Sequence, residues 1–113
     1  MKMSEVKVGV FLSDCGKQLS KILDFDAIIE FVKNVSGVTY VARGSEFWRG
    51  QGLQAIVDSV QAGKVNRVVV AESAPKISEI AIAKAVEKAG LNASLVEVVD
   101  LKDQLRMAPS RHA

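Results

Sequence analysis

The sequence has little cysteine, histidine, proline or aromatic content, and each shortage excludes a class of protein. Its 113 residues include one cysteine, one histidine and two prolines, and aromatic residues make up 5% of the chain. A single cysteine cannot form an internal disulfide, which fits a reducing compartment. Hydrophobic residues nevertheless reach 49%, so the length and composition predict one globular domain with a largely aliphatic core.

Net charge and long apolar runs are limited as well. The formal net charge is +2, and Lys and Arg form no cluster, so nothing indicates a nucleic-acid partner. No apolar run reaches the roughly 20 residues that a membrane-spanning helix needs. The N-terminus lacks the apolar segment and the small-residue cleavage site of a secretory signal. These absences predict a soluble, cytoplasmic protein with no membrane partner.

What is present is a regular alternation of strand and helix patterns. Short β-branched runs predict strands at 6–12, 38–42, 67–71 and 94–101, and amphipathic helices are predicted between them. Such alternation predicts an α/β fold: a single Rossmann-like three-layer domain with a four-stranded parallel sheet, order 2-1-3-4, and helices on both faces. The domain is expected to span 1–105. A polar tail at 106–113 follows, either as a frayed end or as an arm that docks elsewhere.

The first predicted helix has a readable start, stop and inner face. Asp24 or Asp26 can cap its N-terminus, and Gly37 supplies a stop after it. At helical spacing, Ile28, Phe31, Val32 and Val35 are predicted to form its apolar face.

The topology predicts where a functional site would lie. Ligands of open parallel sheets gather beyond the carboxyl ends of the strands, at the point where the strand order reverses. We call this edge the rim. Cys15 and Ser73 lie in the loops after the first and third strands, and Trp48 lies in the loop after the second, so we expect all three on the rim.

Cys15 lacks the neighbours that cysteine chemistry uses. A phosphatase-type loop places an arginine six residues on, whereas this position is Lys21. A thioredoxin-type motif needs a second cysteine at Gln18. The only histidine, His112, lies in the tail. The residues favour Cys15 as a small residue at a strand end over a catalytic nucleophile.

Nucleotide binding is not indicated, because no glycine pattern matches a dinucleotide or phosphate loop. Phe47 and Trp48 are adjacent aromatic residues in a polar loop. Both cannot face the core, and an exposed ring suggests a partner surface. The alternative is that one ring caps the sheet edge while the other is half exposed.

Two long segments carry a family resemblance: residues 8–41, "VGVFLSDCGKQLSKILDFDAIIEFVKNVSGVTYV", and 66–104, "NRVVVAESAPKISEIAIAKAVEKAGLNASLVEVVDLKDQ". They resemble the N-terminal domain of the heterodisulfide reductase A subunit, the large flavin-containing iron–sulfur component of that enzyme. That domain opens with a strand and a cysteine-rich turn ending in Cys-Gly, as Cys15-Gly16 does here. The likeness extends from about Val8 to Gln104.

The resemblance implies a set of former cluster-ligand positions. The family's cysteines around the rim correspond to Ser13, Cys15, Glu46, Ser73 and Leu105, so only Cys15 retains a thiol. Pro75 matches the family's Cys-Ser-Pro motif, and Lys76 replaces the arginine that follows. No iron–sulfur cluster or metal is therefore expected in this chain. The family's FAD lies in a later domain, so FAD is expected only on a partner or separate chain.

Two functions follow from the resemblance and the residues. The first is a non-catalytic component of an electron-transfer complex that docks on a heterodisulfide-reductase-like flavoprotein or another redox subunit. Its predicted contacts are Phe47, Trp48, Pro75 and Lys76, and a homo-oligomer is a further option. The alternative is a small thiol-dependent redox or sulfur-transfer protein that uses Cys15.

Overall fold

The computed structural model describes residues 6–14, 24–72 and 75–100. Within these ranges four strands alternate with three helices: β1 Val8–Ser13, α1 Phe25–Val32, β2 Val38–Gly44, α2 Gly50–Gln61, β3 Arg67–Glu72, α3 Pro75–Lys88 and β4 Val96–Asp100, with a 3₁₀ turn at Ala93–Leu95. The strands pair in parallel in the order β2-β1-β3-β4. The predicted α/β fold and strand order are confirmed.

Local contacts explain where helix α1 begins and where the turn after it lies. The Asp24 carboxylate accepts the Ala27 backbone N–H at 3.1 Å, so Asp24, and not Asp26, is the cap. After the helix, Gly37 adopts φ +92°, a left-handed conformation that glycine takes at little cost. The chain then enters β2 at Val38.

Alternate residues of the strands divide the core into two layers. Val68 and Val70 of β3 pack with residues of α2 and α3, while Ala71 packs with residues of β1 and α1. Because successive strand residues point to opposite faces, α2 and α3 cover one face of the sheet and α1 covers the other. The sheet is thus the middle of three layers, and its central strands are buried.

The inner face of α1 differs from the predicted one. Residues that pack on the sheet from this helix are Phe25, Ile28, Ile29 and Val32. Phe31 is 73% exposed and Val35 is 44% exposed, so placing these two on the apolar face was wrong. Phe25 is buried at the first helical position, and its burial fixes the rotation of the helix about its axis.

Several predicted features lie outside the described residues: Cys15, Ser73, Leu105 and the tail at 106–113. Pro75 and Lys76 form the start of α3. Because residues 1–5 and 101–113 lie outside the described ranges, the domain limits of 1–105 stay a prediction. None of the helices that the structure describes is both long and apolar enough to cross a membrane.

Candidate functional site

The rim contains two buried carboxylates at the ends of the central strands. Glu72 is the last residue of β3 and is 2% exposed, and Asp14 directly follows β1 and is 6% exposed. Because β1 and β3 flank the point where the strand order reverses, both carboxylates lie at the position where open parallel sheets bind their ligands.

The loop after β2, residues 45–49, is anchored to both central strands. We call this segment the rim loop. The Ser13 hydroxyl donates to the Ser45 carbonyl oxygen at 2.7 Å, and the Phe47 backbone N–H donates to Glu72 Oε2 at 2.8 Å. The Phe47 ring lies edge-on to Phe11 with centroids 5.5 Å apart. Contacts with β1 and β3, which are distant in sequence, therefore hold the loop in place.

Helix α2 passes so close to the rim loop that only glycine fits. A Cβ atom built on Gly52 would lie 1.9 Å from the Glu46 carbonyl oxygen. Such a distance is far inside van der Waals contact, so any side chain would displace the loop or the helix. Gly52 therefore permits the loop to pack against the first turn of α2.

Three residues of the rim loop form a polar–aromatic surface. Arg49 Nε donates to Glu46 Oε2 at 2.5 Å, and the Arg49 guanidinium lies 4.5 Å from the centroid of the Trp48 ring. The hydrogen bond to Glu46 raises the pKa of Arg49 above its ordinary value, with a further contribution from the Glu46 charge. We call Glu46, Trp48 and Arg49 the rim epitope. Trp48 is half-buried, which leaves part of its ring accessible.

Arg43 connects the rim to the start of α1. Its Nε donates to Asp14 Oδ2 at 3.2 Å, and its NH1 lies 3.7 Å from Asp26 Oδ1. The guanidinium also lies 4.8 Å from the centroid of the Phe25 ring. Arg43 thus bridges two carboxylates and covers the aromatic ring that anchors the helix.

An open cleft of about 440 Å³ lies between the end of β2 and the first turns of α2. Its lining includes Arg43, Glu46, Arg49, Gln51 and Gly52. The lining thus combines charged residues of both signs with Gln51 and with apolar residues such as Ala42 and Ala55. Across residues 6–14, 24–72 and 75–100, no three His, Cys, Asp or Glu side chains are grouped so that they could hold a metal ion.

The predicted site residues separate into distinct environments. Phe47 is 2% exposed and belongs to the core, so its assignment as a partner contact was wrong, because the ring fills the layer beneath α2. Trp48 is the half-exposed member of the pair, as one of the two alternatives predicted. Ser13 is fully buried and touches Ser45, which brings it next to Glu46 on the rim.

The sequence interpretation did not identify Glu72, Asp14 or Arg43. Glu72 follows four apolar residues of a buried strand. A carboxylate at the end of a buried strand, beside the reversal of strand order, could have indicated a site residue from the sequence. The pairing of Asp14 with Arg43 joins residues 29 apart in sequence, and the parallel register of β1 and β2 brings them together.

No protein-family model matches the chain, but curated relatives do. Across 99 residues, 88% of the chain, it is 30% identical to an iron–sulfur A subunit of the CoB–CoM heterodisulfide reductase of Methanopyrus kandleri. Across 108 residues, 96% of the chain, it is 31% identical to a protein of Archaeoglobus profundus named as similar to the heterodisulfide reductase A subunit. Across 102 residues, 90% of the chain, it is 28% identical to the A subunit of the H(2):CoB-CoM heterodisulfide,ferredoxin reductase of Methanothermobacter thermautotrophicus.

These relatives are much longer than the chain. It spans 15% of the length of the first two and 16% of the third. The similarity therefore concerns one domain of each relative and not its whole architecture. The chain belongs to the family of heterodisulfide reductase A subunits, whose N-terminal domain it matches.

Proposed function

We propose that the chain is a docking component of a heterodisulfide-reductase-type redox complex and binds a flavoprotein or another redox subunit through its rim. The observation that carries the proposal is the similarity of 88–96% of the chain to proteins named as reductase A subunits or as similar to them. In those relatives the matching domain is one part of a larger polypeptide, which supports a role in contact with further domains.

The construction of the rim supports docking as the mode of action. The rim loop is fixed by Ser13 and Glu72 before any partner binds, and a preorganised surface loses less conformational entropy on association. The rim epitope presents Trp48 and Arg49 side by side. Tryptophan and arginine are among the residue types that most often dominate the energy of protein interfaces.

The residues present do not fit an iron–sulfur cluster held by this chain alone. Such clusters are usually held by four cysteine thiolates, and the chain has one cysteine. At two of the positions that correspond to family cysteines, the Ser13 hydroxyl is used in a hydrogen bond to Ser45 and the Glu46 carboxylate is paired with Arg49. We therefore propose a domain that has lost its cluster ligands and retains the docking surface, with any FAD carried by the partner.

The test is purification of the tagged chain from its native host under anaerobic conditions. We expect a flavin-containing subunit of the heterodisulfide reductase family to co-purify, identified by mass spectrometry and by its flavin absorbance. Trp48→Ala should reduce the recovered flavoprotein at least about tenfold, as expected for an aromatic hot spot. Ile80→Ala is the matched control, because Ile80 is also an accessible apolar side chain, 61% exposed, but lies on α3 and not on the rim loop.

Recovery of no redox subunit, or equal recovery with Trp48→Ala, would contradict rim docking. The isolated chain, treated anaerobically with iron and sulfide, should gain no stable charge-transfer absorbance. A cluster signal that disappears in Cys15→Ser would refute the loss of cluster binding. Fast, stoichiometric alkylation of Cys15 at neutral pH, coupled to turnover of a disulfide substrate, would instead favour the thiol-dependent alternative.

A further inference from the structure

The described helices cover the two faces of the sheet unequally. Among them, α2 and α3 both pack on one face, whereas α1 alone packs on the other. Four strands at the usual spacing make a sheet about 15–19 Å wide, and a helix with its side chains is about 10 Å across. One helix can therefore cover about two of the four strands, so α1 leaves about half of its face uncovered.

The part of this face that α1 leaves open lies over β3 and β4. Val96 and Val98 of β4 pack with the core beneath α2 and α3, so the alternate residues Glu97 and Val99 point to the α1 face. Among the described residues, Val99 is partly exposed and packs with neither core cluster, and Glu97 is exposed. On the neighbouring strand, Val69 pairs with Glu97. We call Val69, Glu97 and Val99 the open strip.

Burial along β3 shows the same asymmetry. Val68 and Val70, which face α2 and α3, are both 0% exposed. Val69 lies between them and packs against the α1 cluster, but it remains partly exposed although β3 is an interior strand. Interior strands of parallel sheets are ordinarily covered on both faces, so the described helices supply only part of the cover that this face requires.

The chain itself continues beside the open strip. β4 ends at Asp100, one residue past Val99, and residues 101–113 follow. Within that segment, Leu101, Leu105 and Ala108 are spaced as one face of a helix, and Pro109 predicts where such a helix would end. A helix over 101–108 would be about 12 Å long, against about 17 Å for the five-residue strand β4.

We propose that residues 101–108 form a short helix, which folds back from the end of β4 and covers the open strip with Leu105 on Val99 and Val69. The rises per residue support this placement. Leu105 would lie about 7 Å along the helix from Asp100. Val99 lies about 3 Å, and the level of Val69 about 10 Å, from the same end of β4. Leu105 therefore falls between the two valines.

Charge also favours this segment as the occupant. Glu97 is exposed and forms no ion pair with any residue in the described ranges. The segment carries three basic side chains, Lys102, Arg106 and Arg111, against the single carboxylate side chain of Asp103. Arg106 would lie about 9 Å along the helix, close to the level of Glu97. The helix therefore brings a cation to the exposed carboxylate of the strip.

The covalent connection favours the chain's own segment over a separate partner. A short tether gives an attached group a millimolar effective concentration, so another protein or a second copy has to bind more tightly to displace it. The open strip lies on β3 and β4, whereas the rim epitope lies in the loop after β2. The inference thus goes beyond rim docking, since it assigns an occupant to a different surface and leaves the rim accessible to a redox partner.

The experiment is NMR spectroscopy of the full chain with isotope-labelled leucine and valine methyl groups. We expect nuclear Overhauser effects between the methyl groups of Leu105 and those of Val99 and Val69, together with helical carbon shifts over 101–108. A second sample, which mixes labelled and unlabelled chains, reports whether these contacts arise within one molecule. We expect no contacts between molecules.

Two variants and a matched control locate the contact. Leu105→Ser should abolish the Overhauser effects and accelerate amide hydrogen exchange over 101–108 at least about tenfold. Glu97→Lys should accelerate the same exchange about two- to fivefold at low salt, as expected for a partly exposed ion pair. Met107→Ser is the control, because Met107 lies off the stripe of Leu101, Leu105 and Ala108, and it should change neither readout.

Four results would overturn the proposal: random-coil shifts over 101–108, contacts of Leu105 with residues other than those of the open strip, contacts between molecules in the mixed sample, or equal effects of Leu105→Ser and Met107→Ser. None of these readouts involves Trp48 or a redox partner. A failure at the open strip therefore leaves rim docking standing, and a failure at the rim leaves this proposal standing.

Discussion

Glu72 connects two elements through a buried hydrogen bond. Its carboxylate, at the end of β3, accepts the backbone N–H of Phe47, which lies 25 residues earlier in the sequence on the rim loop. A buried backbone donor that loses its only acceptor contributes the full cost of its desolvation. One anchor of the rim loop is therefore a side chain that belongs to a different strand.

Two substitutions of Glu72 should distinguish the stability that this hydrogen bond contributes from the stability that packing contributes. Leucine fills a similar volume without an acceptor, whereas glutamine keeps a carbonyl oxygen. We expect Glu72→Leu to unfold with a free energy about 1–3 kcal/mol lower than Glu72→Gln, measured by urea denaturation. If the two variants were equally stable, the Phe47 N–H would be satisfied in another way and Glu72 would not anchor the loop.

The residues that the sequence revealed are those whose role is local. Asp24 caps the helix it precedes, and the Asp–Phe–Asp start of α1 made a cap in this place predictable. Glu72 and Arg43 act through partners 25 and 29 residues away. Their roles depend on the register between parallel strands, which the sequence pattern does not specify residue by residue.

Among the elements, α1 shows how a correct helix can be given the wrong face. Two sets of residues have helical spacing: Ile28, Phe31, Val32 and Val35, which was predicted, and Phe25, Ile28, Ile29 and Val32, which packs on the sheet. The helix is apolar over more than one stripe, so periodicity alone cannot choose between them. The stacking of Arg43 on Phe25 is a tertiary contact and favours the second set.

Matched alanine variants of the two phenylalanines test this rotation of α1. Phe25 is 2% exposed, and truncating a buried phenylalanine costs about 3–5 kcal/mol. Phe31 is largely exposed, and surface substitutions are usually within about 0.5 kcal/mol of wild type. We therefore expect Phe25→Ala to lower the free energy of unfolding strongly and Phe31→Ala to leave it almost unchanged. The reverse ranking in urea denaturation would place Phe31 in the core.

The order of the elements was predictable because it rests on strong, repeated patterns. The β-branched run of β3 predicts a strand, and the amphipathic segments followed by glycine predict the helices α1 and α2. Right-handed crossovers between parallel strands then leave few topologies, and the observed order is the predicted one. What sequence patterns could not supply is the rim loop geometry, since it depends on the close approach of Gly52 to Glu46.

Taken as a whole, the molecule has two chemically different ends. At the rim, cations and carboxylates are paired, as in Arg43 with Asp14 and Arg49 with Glu46. At the opposite edge, where the strands begin, Lys7 and Arg67 form no ion pair with any residue in the described ranges. The small net charge of +2 therefore coexists with different charge pairing at the two edges of the sheet.

The anchoring of the rim loop also predicts how the whole domain unfolds. Ser13 of β1 and Glu72 of β3 hold the loop, and Phe47 inserts its ring into the core. Opening the loop would break both hydrogen bonds and remove Phe47 from the core, so it should not occur before global unfolding. Trp48 is the only tryptophan, so its fluorescence reports the loop while far-UV circular dichroism reports the helices and strands.

We expect the fluorescence and circular dichroism curves of the wild-type chain to coincide in urea, as a two-state transition requires. In Glu72→Leu the fluorescence change should move to lower urea than the dichroism change, because the loop then loses one anchor while the sheet keeps its own hydrogen bonds. Glu72→Gln should restore coincidence. An early fluorescence transition in the wild-type chain would mean that the rim loop opens independently, and the surface offered to a redox partner would then have to be ordered by the partner itself.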